Sequence, residues 1–137
     1  MRTIAPSFTV GAMCVIERHD GALLFIRHSY RSRWGVPGGL LNRREDPSVA
    51  ARREVREEVG LEVDLVGEPV VVVDARPQRV DLVYRARPGI DVDLDEVRPR
   101  SPEIAEVRWF PPDELPELQV ETTGALMALA RSANRPR

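Results

Sequence analysis

Residues 39–61 read GLLNRREDPSVAARREVREEVGL. The pattern predicts a helix from about Pro47 to Val59, because Asp46 is a good N-cap and Pro47 a favoured first helical residue. Gly60 follows the last helical residue, where glycine commonly ends a helix. The stretch therefore predicts a loop that leads into one capped helix.

Three glutamates share one face of this predicted helix. At about 100° per residue, Glu57 and Glu58 lie within about 60° of Glu54. Valines lie on other sides of the helix and are expected to anchor it to a sheet; they are Val49, Val55 and Val59. Clustered carboxylates repel one another unless a cation neutralises them, and Mg²⁺ takes oxygen ligands of this kind. The alternative is a solvated face with pairs such as Arg53 and Glu57.

The same stretch resembles the box motif of the Nudix hydrolases. The match rests on seven specified residues and two apolar ones: Gly39, Glu45, Arg53, Glu54, Val55, Glu57, Glu58, Gly60 and Leu61. Trp34 and the following Pro37-Gly38-Gly39 resemble the segment that leads into the box, and residues 102–118 resemble a later family segment. Asn42 and Arg44 depart from the common form, which more often has Glu and Gly there.

The resemblance implies a fold and a cofactor. The fold is the Nudix α/β/α sandwich, with a mixed central sheet between helices, as a single domain over residues 1–137. Glu54, Glu57 and Glu58 would hold the catalytic divalent ions, Mg²⁺ or Mn²⁺ in its place, and Glu45 would support that site from the loop.

The resemblance also implies roles for residues beside the metal ligands. Arg53 would tie the loop to the helix and so fix the ligand geometry, and it joins Glu54 and Glu57 in the expected catalytic set. Gly38 and Gly39 would permit a tight backbone path beside the metal and the substrate phosphates.

A further carboxylate from a later loop is expected as ligand or base, with two candidates. Glu106 lies within a strand predicted over residues 104–110, where it shares a side with Arg108, so an exposed ion pair explains it. Glu103 follows Ser101-Pro102 at the start of that strand. We therefore expect Glu103 to serve the site.

Several other residues are substrate-binding candidates. Trp34 has two equal interpretations, stacking on a base or closing the core. Arg33 belongs to a polar loop cluster with His28, Tyr30 and Arg31, which could contact phosphate or ribose. The favoured alternative is that this cluster is an ordinary loop exposed to solvent. Arg76 and Arg79 lie at the connection between two predicted strands. They are candidates for substrate contact, and the alternative is again an ordinary loop exposed to solvent.

The remaining elements are read from apolar alternation and turn residues. Strands are predicted over residues 7–17, 22–28, 62–75, 79–86 and 104–110, and the first two are expected to form a hairpin around His19-Asp20-Gly21. Residues 29–44 read as loop, 112–115 as a short helical turn and 120–130 as a second helix. This order favours a mixed sheet covered by helices.

Composition excludes several classes of function. The chain has 137 residues and a formal net charge of -2, so we expect no stable nucleic-acid partner. No apolar run approaches the roughly 20 residues of a membrane span. Cys14, the single cysteine, lies in an apolar run and is expected to be buried. A cytoplasmic monomer or homodimer acting on a small nucleotide is the resulting expectation.

The sequence thus predicts Mg²⁺-dependent hydrolysis of the diphosphate in a nucleoside diphosphate bonded to a moiety X. Candidates are ADP-ribose, another nucleotide sugar, a dinucleotide, or a normal or oxidised nucleoside triphosphate, and the sequence does not choose among them. The alternative is a catalytically weak Nudix-derived nucleotide-binding or regulatory module. The sequence argues against a diphosphate isomerase on a related fold, because that enzyme would need an active-site cysteine and Cys14 lies in a predicted strand.

Overall fold

The computed structural model describes residues 4–135, so both ends of the expected domain, residues 1–3 and 136–137, lie outside the described part. The elements in chain order are β1 (Thr9–Ile16), β2 (Leu23–His28), β3 (Trp34–Gly35), β4 (Gly38–Leu40), α1 (Pro47–Val59), β5 (Val63–Asp74), β6 (Arg79–Pro88), a 3₁₀ turn (Leu94–Glu96), β7 (Ile104–Phe110) and α2 (Val120–Ala133). Within residues 4–135, no helix has the length and apolar character needed to cross a membrane.

The strands form two sheets rather than one central sheet. Four strands hydrogen-bond in the order β4-β1-β6-β5, and three in the order β3-β2-β7. In the larger sheet β1 runs parallel to β6 and antiparallel to β4, which makes it the mixed sheet expected from the sequence. Helices α1 and α2 pack against opposite faces of it, so the α/β/α sandwich is confirmed.

The expected hairpin between the first two strands is wrong. The turn itself forms, since Arg18 N–H donates to Ala22 O at 2.8 Å and Gly21 adopts a left-handed φ of 91°. Both edges of β1 are already taken by β4 and β6, however, and both edges of β2 by β3 and β7. Within the described residues 4–135, the two sheets are joined at this turn by one isolated bridge, between Glu17 and Leu23.

Two smaller expectations also need correction. The loop predicted over residues 29–44 contains the short strands β3 and β4, which pair with the ends of longer strands. The helical turn predicted over residues 112–115 is a single hydrogen-bonded turn, closed by Glu114 N–H donating to Pro111 O at 3.0 Å. Prolines around it remove the amide donors that a helix would need.

Helix α1 begins and ends where the sequence predicts. Asp46 caps it by accepting a hydrogen bond from Ser48 N at 2.8 Å, and Pro47 is its first residue. Gly60 ends it with a left-handed φ of 72°, and its N–H donates to Arg56 O at 3.0 Å. Fixed ends set the rotation of the helix, and with it the direction in which the glutamates point.

The core has one layer on each face of the larger sheet, because the side chains of β1 alternate between the faces. Cys14 and Ile16 pack in a cluster with Val55 and Val59 of α1. Their neighbours along the strand, Met13 and Val15, face the other way. They pack in a second cluster with Ala125 and Leu129 of α2. The site residues on α1 are thus held by a packed layer beneath them.

The valines of α1 differ in burial, and this difference yields a stability prediction. Val55 is fully buried, whereas Val49 is 53% exposed, so the sequence-based expectation that Val49 anchors the helix is wrong. Val55→Ala should lower the free energy of unfolding by about 2 kcal/mol, through lost burial and a cavity. Val49→Ala, the matched control, should change it by less than about 0.5 kcal/mol. Urea denaturation measures both, and equal effects would contradict the packing described here.

Candidate active site

Arg53 joins α1 to the loop before it. Its Nε and Nη2 donate to the two carboxylate oxygens of Glu45 at 2.7 and 2.8 Å. Its Nη1 donates to Glu54 at 3.0 Å and to Glu57 at 3.1 Å. A planar guanidinium suits such a two-pronged contact, since its donors form a rigid fork. One cation therefore sets the positions of three carboxylates.

The loop around Glu45 is built for this contact. The hydrogen bond from Arg53, helped by that from Asn42 N–H, lowers the pKa of Glu45 to about 2, so its carboxylate stays ionised. Arg44 adopts a left-handed φ of 63°, a conformation that glycine adopts more readily. The departure from the common box at Arg44 therefore carries backbone strain, while Asn42 contributes its backbone amide.

Glu58 is the most enclosed of the three helix glutamates. It is 8% exposed, and its Oε1 accepts a hydrogen bond from Gly38 N–H at 2.8 Å. Burial raises the pKa of Glu58 to about 8 despite that hydrogen bond, and the negative charges of Glu54 and Glu103 add to the rise. A buried carboxylate of this kind holds its charge at neutral pH only if a cation comes close.

Glu54 lies against the glycine pair. A Cβ on Gly39 would come within 2.6 Å of Glu54 Oε1, and a Cβ on Gly38 within 2.4 Å of Ala12 O. Position 38 therefore requires glycine, because the clash is with backbone, whereas a side chain at position 39 would displace the Glu54 carboxylate. Burial raises the pKa of Glu54 above its ordinary value, and the charge and hydrogen bond of Arg53 only partly offset this.

The expected metal ligands are neighbours but do not converge. The side chain of Glu57 is 58% exposed and its carboxylate is turned to Arg53. Among the residues that the structure describes, no group of three His, Cys, Asp or Glu side chains is arranged to hold a metal ion. Glu54 and Glu57 instead both lie within hydrogen-bond distance of the Arg53 guanidinium. The donor set still fits Mg²⁺, which prefers a few carboxylate oxygens and completes its shell with water and phosphate.

The two later carboxylates have different surroundings. Strand β7 begins at Ile104, as predicted, and Glu106 forms ion pairs with Arg108 and, at 3.6 Å, with Arg27. Glu103 is exposed just before the strand, and its backbone O accepts from Ser29 N–H at 2.8 Å. Its charge contributes to the raised pKa of Glu58, whose largest cause is burial, so Glu103 lies on the side of the box.

Trp34 and Arg33 are placed beside α2 rather than beside the glutamates. The Trp34 ring is half-buried and packs edge-on against Phe110, with ring centroids 5.1 Å apart. This contact favours the core interpretation of Trp34. Arg33 is exposed and pairs with Glu117 at 3.3 Å.

Arg76 and Arg79 also separate from the box. Arg76 is exposed at the turn between β5 and β6, where its backbone N–H donates to Asp74 at 3.2 Å. Arg79 pairs with Asp81 at 3.0 Å, and a Cβ on Gly11 would collide with both side chains. Neither arginine contacts Glu54, Glu57 or Glu58 in the described hydrogen bonds and ion pairs.

The sequence missed one buried polar residue where the end of β2 and the start of β3 meet α2. Gln119, the N-cap residue of α2, is 3% exposed, and its Nε2 lies 3.2 Å from His28 Nδ1 and 3.3 Å from Arg33 O. The sequence pattern does not predict that Gln119 is buried, because a single glutamine before a helix is usually expected to be exposed to solvent. His28 itself ends β2 and is half-buried, and does not belong to a solvated loop.

A cavity of about 530 Å³ opens away from the box, where β1 and β6 end. Its lining is mixed and includes Glu17, Arg18, His19, Arg87 and Ile90. We place the site at the box instead, because the buried carboxylates and their close backbone contacts are there.

Comparisons with known proteins show the family to which the chain belongs. The model of the NUDIX domain matches residues 7–129. A MutT-like protein from Streptomyces ambofaciens is 34% identical over 119 residues, which cover 87% of this chain and 74% of that protein. An RNA pyrophosphohydrolase from Erythrobacter litoralis is 33% identical over 107 residues, 64% of each chain, so this chain spans just under two thirds of that relative.

A solved structure agrees over nearly the whole length. The NUDIX hydrolase from Nitrosomonas europaea superposes with a TM-score of 0.79 at 25% identity, covering 98% of this chain and 78% of the other. The family match includes the box and both helices down to residue 129. This chain belongs to the Nudix family and is a Nudix hydrolase.

Proposed function

We propose that this hydrolase cleaves the diphosphate of a nucleoside diphosphate bonded to a moiety X. The observation that carries the proposal is the buried carboxylate of Glu58, which lies beside Glu54 and accepts from Gly38 N–H. Such a cluster of carboxyl groups becomes fully ionised only when a cation occupies the neighbouring space, and a cation held there would in turn attract the phosphates of a substrate. A relative named an RNA pyrophosphohydrolase supports a diphosphate as the bond that is cut.

The residues fit a magnesium site, with Mn²⁺ as a substitute. Glu54, Glu57 and Glu58 would hold the ion, and Glu45 would support the arrangement through Arg53. Bound there, the ion would neutralise phosphate oxygens and lower the pKa of an attacking water. All the donors are carboxylate oxygens, the class that a hard cation selects.

The protein's own groups then have separate tasks. The fork of Arg53 holds Glu45, and its Nη1 would keep Glu54 and Glu57 in place, as the partners of metal ligands generally do. Glu103 is exposed near Glu58 and would accept the proton of the attacking water as general base. The close approach of the Gly39 backbone to Glu54 would let a substrate phosphate sit against the main chain.

A substrate panel tests this proposal. It contains ADP-ribose, NADH, diadenosine polyphosphates, UDP-sugars, dNTPs and 8-oxo-dGTP, each with Mg²⁺ and with identification of the products. A nucleoside monophosphate product supports the proposal, as does pyrophosphate from a triphosphate. Binding without cleavage across the panel would instead identify a nucleotide-binding module. Cys14 is buried, and burial raises its pKa to about 12, which leaves no reactive thiolate for an isomerase.

The choice between Glu103 and Glu106 is tested by paired variants. Glu103→Gln should lower kcat by about 10-fold or more, as expected for loss of a general base or ligand. Glu106→Gln should change kcat little, because Glu106 is engaged with Arg27 and Arg108. Both are measured at saturating substrate and Mg²⁺. The reverse ranking would assign the role to Glu106.

Arg53 is tested by a conservative change. Arg53→Lys should lower kcat/KM by about 10- to 100-fold, because a lysine has no fork to hold Glu45 while also contacting Glu54. Arg56→Lys is the matched control on the same helix, since Arg56 forms an exposed pair with Glu62 and contacts none of the box glutamates through its side chain among residues 4–135. Normal activity in Arg53→Lys would show that charge alone matters there.

Location and assembly stay predictions. A cytoplasmic location, and a monomer or homodimer without a stable nucleic-acid partner, are proposed from the composition and the net charge of -2. Fractionation and light scattering test them.

A further inference from the structure

A buried hydrogen-bond relay leads to His28. Gln119 Nε2 lies 3.3 Å from Arg33 O and 3.2 Å from His28 Nδ1. The Arg33 carbonyl can only accept, so the Gln119 atom that faces it is the amide nitrogen. The same NH₂ group then donates its second hydrogen to His28.

This relay fixes the tautomer of His28. An amide NH₂ cannot accept a hydrogen bond, so His28 Nδ1 must be the unprotonated nitrogen. The ring proton therefore sits on Nε2, as the partner of one ring nitrogen decides where the proton of the other lies. Within residues 4–135 no side-chain hydrogen bond uses Nε2, so that donor remains available.

The side chain of Gln119 contacts His28 and does not cap α2. Gln119 is the N-cap residue of α2, yet its side chain makes no capping hydrogen bond. Space for it is left by Gly35, where a Cβ would come within 2.6 Å of Gln119 Oε1. Gln119 is also 3% exposed, and burying an amide is costly unless its hydrogen bonds are made. These features together point to a built arrangement rather than a chance surface contact.

Backbone contacts hold the end of β2, which carries His28, against the segment that contains Glu103. The pairing of β2 with β7 shifts register between Arg27 and His28, and such bulges redirect side chains, often beside active sites. Ser29 then binds the segment before β7, through N–H to Glu103 O at 2.8 Å and through Oγ to Pro102 O at 2.8 Å. The segment of His28 is thus tied to that of Glu103, and the charge of Glu103 acts on the pKa of both His28 and Glu58.

We propose that His28 donates a hydrogen bond from Nε2 to the diphosphate of the substrate, and that Gln119 is the positioning residue that holds this tautomer. The proposal rests on the proposed function, since it presumes a diphosphate in the site. A neutral imidazole N–H suits this task, because it binds a phosphate oxygen without competing with the cation for the box carboxylates. Loss of a hydrogen bond to a charged oxygen is expected to cost about 10- to 100-fold in kcat/KM.

The charges around His28 agree with a neutral ring. Burial and the positive charge of Arg31 lower the pKa of His28 below its ordinary value, against the opposing charges of Glu103 and Glu121. Protonation at Nδ1 would also set an N–H against the NH₂ of Gln119. The ring is therefore expected to stay uncharged at neutral pH.

The first test reads the tautomer in the free protein by ¹⁵N NMR of the imidazole rings. The chain has two histidines, and His19 is exposed and serves as the internal control. His28 should show the Nε2–H form and His19 an averaged one. Gln119→Glu should raise the pKa of His28 by at least about one pH unit, since a carboxylate favours the charged ring. Gln119→Met, which offers no hydrogen bond, should let the tautomers mix. An Nδ1–H form in the unaltered protein would overturn the proposal.

The second test uses amides that mimic one ring nitrogen each. His28→Gln carries an N–H donor near the position of Nε2 and should keep kcat/KM within about 3-fold of the unaltered value. His28→Asn reaches only the position of Nδ1 and should lose about 10- to 100-fold, with His19→Gln unchanged. Equal losses in His28→Gln and His28→Asn would overturn the role of Nε2. If the unaltered protein cleaves nothing on the panel, the proposed function fails, while the tautomer result still decides the relay.

Discussion

Removing divalent cations with EDTA should abolish hydrolysis, and Mg²⁺ or Mn²⁺ should restore it. Glu54 and Glu57 share the single cation of Arg53, and burial raises the pKa of Glu58 to about 8, so these carboxylates need a bound cation to hold their charge together. Water near such a cluster has nothing to lower its pKa, so loss of nearly all activity is expected. Phosphate release from a substrate of the panel is the measurement. Full turnover in EDTA would contradict the metal site.

Metal binding should also depend on pH in a defined direction. Burial raises the pKa of Glu58 to about 8, and binding requires its ionised form, so each ion bound near pH 7 should displace a proton. Apparent affinity for Mg²⁺ should therefore rise between about pH 6 and pH 8. Calorimetry in buffers of different ionisation enthalpy measures the released proton. An affinity independent of pH would show that Glu58 does not hold the ion.

The site helix was predictable because its determinants are local. Asp46, Pro47 and Gly60 act within a few residues of themselves, and the observed bounds of α1 match them. The phase of the three glutamates follows from those bounds, so their common face could also be predicted. The sequence did not predict how exposed each glutamate is. Glu58 is buried and Glu57 is exposed because the backbone at Gly38, which lies 20 residues before Glu58 in sequence, contacts Glu58.

Pairings over long separations were not predictable in the same way. The β1 strand looks like the first arm of a hairpin, but it pairs with β6, which lies about 70 residues later. Apolar alternation shows which face of a strand is buried and says nothing about which neighbour takes its edge. The Gln119 relay is hidden for the same reason, because it joins residues 91 positions apart.

Replacing Glu58 with Gln should separate catalysis from stability. The amide keeps the shape of the side chain and removes a charged ligand, so kcat should fall at least about 100-fold. Glu57→Gln should lose a similar amount, although Glu57 is 58% exposed and Glu58 is 8% exposed. Glu62→Gln, an exposed glutamate outside the box, is the matched control. If both box variants keep near-normal kcat, the metal face is misassigned.

In the metal-free protein, Glu58 should make the stability of the fold depend on pH. The pKa of Glu58 is raised by burial from 4.5 to about 8, so the folded state holds a proton that the unfolded state releases. The stability contributed by the neutral carboxyl is therefore complete below about pH 4.5 and is lost as pH rises towards 8. In EDTA, the Tm of the unaltered protein should fall across this range, and Glu58→Gln should remove most of that fall. Saturating Mg²⁺ should also remove it, because the ion stabilises the ionised carboxylate. A Glu58→Gln variant with an unchanged pH profile would show that this carboxyl is already ionised in the free protein.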